Sequence, residues 1–192
     1  LHISSCFPRK GINILLEAYG MAFTINNDVT LIIKTFPNPH NNVSHILEKL
    51  RQTNPLYPHV IIVNEDLDQK QIISLYNQSD ALVAPSYGEG FGLPMAEAMF
   101  LGIPVITTKW GGQTDFCNSL NSWLIDYDFE YSNSHFNLFS SVWAKPSKDH
   151  LSKLLSQVIK TPPADRSIKT KQAKLDIINY FTWEKVAKNN IK

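Results

Sequence analysis

Cysteine is scarce in this chain. Its 192 residues include two, Cys6 and Cys117, which lack both the number for a disulfide framework and the spacing of a zinc site. Free thiols in a reducing compartment are the expectation. Net charge is scarce too: 18 Lys and Arg stand against 17 Asp and Glu, and a formal +1 excludes the basic footprint of a nucleic-acid binder. No apolar run approaches the ~18 residues of a membrane span, and Leu1-His2-Ile3-Ser4 is not a basic-plus-apolar leader. The expected location is therefore cytoplasmic. Metal patterns are lacking as well. His40 and His45 flank a polar loop start without a carboxylate partner at ligand spacing, and Asp126-Tyr127-Asp128 follows the short apolar run Ser122-Trp123-Leu124-Ile125, so it reads as a strand exit. The expectation is metal: none. Asn42-Val43-Ser44 and Asn77-Gln78-Ser79 are glycosylation sequons in form only, since no secretory leader accompanies them.

What is present is a core. At 43% hydrophobic content a chain of this length can bury one sizeable interior. Ile12, Leu15, Leu16, Tyr19 and Phe23 recur with helical period, as do Val43, Ile46, Leu47 and Leu50, and later Leu151, Leu154, Leu155 and Val158. Between them lie short β-branched runs, Val29 to Ile33, His59 to Val63 and Ala81 to Ala84, of the kind buried in parallel sheets. Asp68 and Gln71 form a capping-box pattern ahead of Ile72, Leu75 and Tyr76. This alternation predicts an α/β fold: a single Rossmann-like domain over residues 1–192, a parallel sheet with helices on both faces and a ligand site at the carboxyl ends of the strands. From Asp126 to His150 the periodicity lapses, and Trp143-Ala144-Lys145-Pro146 reads as a packing anchor before the next helix. The tail from Pro162 reads as a basic, solvated helix.

The informative segment runs from Gly88 to Glu97, between the apolar runs Ala81 to Ala84 and Ile103 to Thr107. Gly88, Gly90 and Gly92 permit close backbone approach to a ligand, and Pro94 suits the first position of a helix that should open there and end at Gly102. The start of such a helix presents unpaired N–H groups and a partial positive charge to an anion. Glu89 and Glu97 cannot both serve that anion, so they are expected to meet hydroxyls. Glu97 is placed to accept from a ribose diol, and Glu89 from a group beyond the phosphates. Taken singly, either glutamate reads equally well as a dipole-favoured or solvated charge; the combination points to a sugar nucleotide.

The stretch from Asp80 to Asp115, containing Pro85-Ser86, Glu89-Gly90-Phe91-Gly92-Leu93-Pro94, Glu97-Ala98-Met99, Gly102-Ile103-Pro104-Val105-Ile106 and Gly111-Gly112, resembles the donor-site signature of retaining GT-B glycosyltransferases of the group 1, or family 4, type. Arg9-Lys10-Gly11 resembles the family's opening of its first helix, and Phe181-Thr182-Trp183 its closing helix. The resemblance implies that Glu89 contacts donor-sugar hydroxyls, Gly90, Phe91, Gly92 and Leu93 contact sugar and phosphate through their backbone, Glu97 binds ribose, and Lys10 binds phosphate. Glu89 and Lys10 are accordingly the residues closest to the chemistry. One departure stands out: Ser4 and Ser5 lie where the family carries an arginine. Arg9 is then either a substitute cation or a solvated residue beside the helix, and Lys34, at a strand end, either lines the cleft or faces solvent.

The resemblance further implies the C-terminal, donor-binding half of a GT-B enzyme. It would take a nucleoside-diphosphate sugar as substrate, with no cofactor and no obligatory metal. A glycan or lipid-linked acceptor would be supplied through an N-terminal domain absent from this chain, and any approach to the inner membrane surface would run through that half. A non-catalytic sugar-nucleotide-binding or regulatory subunit, or part of a nucleotide-sugar epimerase, would carry the same pocket. A dinucleotide fold fits poorly, because Met95 stands where its fingerprint wants a third glycine.

Overall fold

The computed structural model describes residues 1–132 and 140–190. Strands β1 (His2–Ile3), β2 (Thr30–Lys34) and β3 (His59–Val63) pair in parallel with β2 central, and β4 (Leu82–Ala84), β5 (Val105–Thr108) and β6 (Trp123–Ile125) pair in parallel with β5 central. The two ladders meet where the Val83 N–H donates to the Leu1 carbonyl (2.8 Å), setting β1 beside β4. Read across, the order is 3-2-1-4-5-6. The β1/β4 seam is thus the point where the winding reverses, the place where ligands bind in open α/β sheets.

Alternation along the strands feeds two cores. Ile33, Val83, Ile106 and Ile125 point to one face and pack with α1 (Ile12–Ala22), α2 (Val43–Thr53) and α5 (Lys148–Lys160). Ile32, Leu82, Ala84 and Val105 point to the other, under α3 (Gln69–Asn77), α4 (Leu93–Leu101) and α6 (Pro163–Tyr180). A last helix, α7 (Trp183–Asn190), follows. The expected parallel sheet with helices on both faces is therefore what the chain builds. The Asp68 capping box forms as expected: its carboxylate accepts from the Gln71 N–H (2.8 Å) while the Gln71 side chain accepts from the Asp68 N–H (2.8 Å).

The reading of residues 126–150 as aperiodic needs correcting. Tyr127–Tyr131 and Val142–Pro146 are strands β7 and β8 of an antiparallel hairpin, with Asp128 opposite Lys145 and Glu130 opposite Trp143. Residues 133–139 of that stretch lie outside the described ones. The strict alternation Tyr127-Asp128-Phe129-Glu130-Tyr131 was the sequence signal. Of its polar members, Glu130 bonds across the hairpin to Trp143 and Lys145, while Asp128 stays exposed. Cys6 and Cys117 are both buried and unlinked.

Candidate functional site

Three chain segments converge at the β1/β4 seam. After β1, a single 3-10 turn (Pro8–Lys10) brings Arg9 and Lys10 to the strand ends and closes on Gly11. Gly11 adopts φ +70°, and a Cβ there would lie 1.9 Å from the Pro85 carbonyl oxygen, so only glycine lets α1 start this close to the β4 exit. After β4, Pro85 to Gly92 form the glycine loop, and Tyr87 N–H donates to the Arg9 carbonyl (2.8 Å) to tie it to the first segment. After β5, the Gly111-Gly112 turn supports the loop from the far side, its Gly112 N–H donating to the Glu89 carbonyl (2.9 Å).

Glu89 sits at the centre. Its side chain is 7% exposed; Oε1 pairs with Lys10 Nζ (2.5 Å) and accepts from Ser86 Oγ (2.8 Å), and Oε2 lies 3.5 Å from Arg9 Nη1. A solvated loop charge is thereby excluded. Arg9 also donates to the Gly88 carbonyl (3.1 Å), so it belongs to the cluster and not to bulk solvent. Two cations on one carboxylate leave local positive charge for an incoming anion, while the carboxylate stays oriented by two donors, Lys10 and Ser86, with the Arg9 charge beside it.

Helix α4 opens beside this cluster. Gly92 caps it at φ +94°, where a Cβ would also meet Met95 Sδ at 2.8 Å, and Pro94 occupies its first turn. The role expected for the other loop glycines differs. Gly88 and Gly90 are not in the left-handed region, and a Cβ at either would meet nothing within 4 Å. They leave open space in front of the loop, whereas conformational necessity rests on Gly92. Glu97 projects from α4 into solvent, anchored by the Tyr76 hydroxyl, which donates to its Oε2 (2.8 Å). Burial pushes the Tyr76 pKa up, and the neighbouring Glu97 charge adds to it, so Tyr76 remains a donor. Phe91 is half-exposed and packs on Phe116 (5.0 Å between ring centroids), while Leu93 stays exposed at the helix start.

Lys34 does not join this group. It is buried, and its Nζ donates to the Thr35 carbonyl (2.7 Å). Ser4 is likewise turned to an internal task. His2 Nδ1 faces the Val83 carbonyl (2.8 Å) and therefore carries the proton; Nε2 then accepts from Ser4 Oγ (2.7 Å), which itself accepts from the Cys6 N–H (3.0 Å). Burial lowers the His2 pKa to about 4, keeping the imidazole neutral. Ser86, Tyr76 and His2 are the participants that sequence reasoning missed. Pro85-Ser86 was visible as part of a motif, but Tyr76 looked like an ordinary apolar helix position and nothing in the sequence singled out His2.

Residues 1–128 match the sequence model of the family described as glycosyl transferases group 1. Among characterised relatives, the serotype-specific mannosyltransferase WbdA of Escherichia coli is 34% identical over 99 residues, a stretch covering 52% of this chain and 12% of that protein. The chain thus spans a small part of that relative's length. Among solved structures, the C-terminal domain of the group 1 glycosyl transferase LpcC from Francisella tularensis superposes with a TM-score of 0.73 at 21% identity, covering 95% of this chain and 84% of that one. Anabaena HepE in complex with UDP-glucose superposes with a TM-score of 0.75 at 19% identity, covering 98% of this chain and 46% of that one. These likenesses agree with the GT-B type of fold, and with the family pattern running through both the Lys10 turn and the glycine loop, the chain belongs to the group 1 glycosyl transferases.

Proposed function

We propose that this chain is the donor-binding half of a retaining glycosyltransferase that moves a sugar from a nucleoside-diphosphate sugar to a glycan or lipid-linked acceptor in cell-surface polysaccharide synthesis. The observation that carries the reading is the convergence of Lys10, Arg9 and Glu89 in front of the α4 N-terminus, with Glu97 one turn along that helix. The UDP-glucose held by HepE, a protein of the same fold, is consistent with such a donor.

The chemistry follows from the charges. Breaking the anomeric C–O bond leaves the electron pair on the diphosphate, and preorganised Lys10, Arg9 and helix N–H groups stabilise the negative charge that develops there. Glu89, held by the cations behind it, presents its carboxylate to sugar hydroxyls. Glu97, held by Tyr76, accepts from the ribose. In this reading, Gly90, Phe91, Gly92 and Leu93 supply the backbone that lies along sugar and phosphate. The acceptor hydroxyl attacks the face the leaving group vacates and passes its proton to the departing diphosphate oxygen, and Glu89 forms no covalent bond. No obligatory metal enters this scheme.

A thermal-shift screen of UDP, GDP, ADP and their sugars tests the reading. A matching ligand at about 100 times its dissociation constant adds ~2.7 kcal/mol of stability. A protein that responds to none of them is not a donor-binding domain.

A further inference from the structure

Next to the donor site lies a second groove of about 650 Å³, within the size range of small-molecule sites. We infer that it binds sugar residues of the glycan chain being extended, an inference that rests on the transferase reading. It is bordered by the same two chain segments that carry the donor site. Pro8 and Tyr87 line the groove, and two residues further along each segment, Lys10 and Glu89 form the ion pair. None of Arg9, Lys10, Glu89 and Glu97 lines the groove, so a ligand there leaves the proposed donor contacts free.

The lining suits a polyhydroxylated, uncharged ligand. Half-buried Trp143 packs on the buried Tyr87 ring (4.4 Å between centroids), and the part of its indole left open provides the aromatic surface on which the C–H face of a pyranose can lie. Around the rings stand hydrogen-bonding groups of both kinds. Glu130 accepts from Trp143 Nε1 (3.1 Å) and Lys145 Nζ (3.0 Å), and Glu17 pairs with Lys148 (2.7 Å). Asp128, also on the lining, is exposed and has no ion-pair partner among the described residues. Three lining carboxylates (Glu17, Asp128, Glu130) outnumber two ammonium groups (Lys145, Lys148), so an anion such as a nucleotide is disfavoured. Hydroxyls, which donate to carboxylates and accept from ammonium groups, match both sets.

The test uses the ¹⁵N-labelled chain titrated with mannotetraose, maltotetraose and chitotetraose, while the Trp143 indole signal, identified by its loss in Trp143→Phe, is followed by NMR. At least one oligosaccharide is expected to shift it saturably, more tightly than its disaccharide. Trp143→Ala should weaken binding about tenfold and Trp143→Phe far less, since a ring remains to stack on. Asp128→Ala, at an exposed position that cannot unfold the domain, should weaken it several-fold. Silence of the indole toward all three sugars, or binding unaltered in both alanine variants, overturns the inference and leaves the groove as a contact for protein. UDP and GDP titrated into the same sample keep the two readings apart. Nucleotide binding without an oligosaccharide response removes the groove alone, and an oligosaccharide response without nucleotide binding removes the donor reading and leaves a carbohydrate site.

Discussion

At the scale of single residues, the site is built from charges that are held before any ligand arrives. Glu97 is exposed and, among the described residues, anchored by Tyr76, so Glu97→Ala should leave the fold intact while lowering nucleoside diphosphate affinity. Charge-assisted hydrogen bonds contribute roughly 1.5 to 3 kcal/mol, which predicts a loss of about tenfold to over a hundredfold by calorimetry. Unchanged affinity would remove Glu97 from the site. Glu89→Gln should spare the free nucleoside diphosphate but weaken the matching sugar nucleotide, because the carboxylate faces the sugar in the proposed scheme; equal losses for both would refute that division. His2 gives a pH prediction. Its folded pKa of about 4 lies below the ordinary 6.5, so the unfolded chain binds the extra proton first and stability falls as pH drops from 6.5 toward 4. By pH 4.5 this should cost roughly 2 to 3 kcal/mol more in the wild type than in His2→Gln, measured by denaturant unfolding at pH 7 and 4.5. Parallel pH profiles for the two proteins would show that His2 titrates normally.

At the scale of elements, loop 88–92 is held from one side by Gly112. A Cβ at Gly112 would lie 1.8 Å from the Gly90 carbonyl oxygen, whereas one at Gly90 would meet nothing within 4 Å. Gly112→Ala should therefore destabilise by about 1 to 3 kcal/mol, a drop of several degrees in melting temperature, while Gly90→Ala stays within about 0.5 kcal/mol of wild type. Similar melting curves for both would mean that the loop does not rest on the 111–112 turn. Element type was the most legible property of the sequence. His59–Val63 is a strand with the bounds read from its apolar run, and α4 ends on Gly102, whose φ of +79° is the conformation a helix-terminating glycine takes. The β7/β8 hairpin was not read, because its evidence was a short alternation whose partner strand lay across an intervening segment. Within the proposed site, the spacing of the glycine loop singled out Glu89 and Glu97, and the family resemblance singled out Lys10. Spacing could not reveal that Glu89 is buried between two cations or that Tyr76 reaches Glu97 from another helix, since both are contacts between segments far apart in the chain. Lys34 shows the same limit. A strand-end position says where the Cα sits, not that the ammonium will fold back onto Thr35.

At the scale of the whole molecule, sheet, loop and helix start bring the proposed donor contacts together within one domain, and transfer in the proposed scheme needs an acceptor held opposite this cradle. The chain by itself should bind its nucleoside diphosphate equally well with and without EDTA and transfer no sugar until an acceptor-binding domain is joined to it. Sugar delivered to a defined acceptor by the purified chain would sink the half-enzyme proposal, and loss of nucleotide binding in EDTA would sink the metal-independent one. The seam between the two ladders has a consequence of its own. Across it run the Val83 amide bond to Leu1 and the His2 imidazole bond to the Val83 carbonyl, with Lys10 reached from one ladder and Glu97 from the other. A nucleotide sugar touching both would act as a rivet across that joint, so the Val83 amide should trade its proton for deuterium more slowly in the complex, making the exchange rate of one buried amide a gauge of occupancy in the cradle above it.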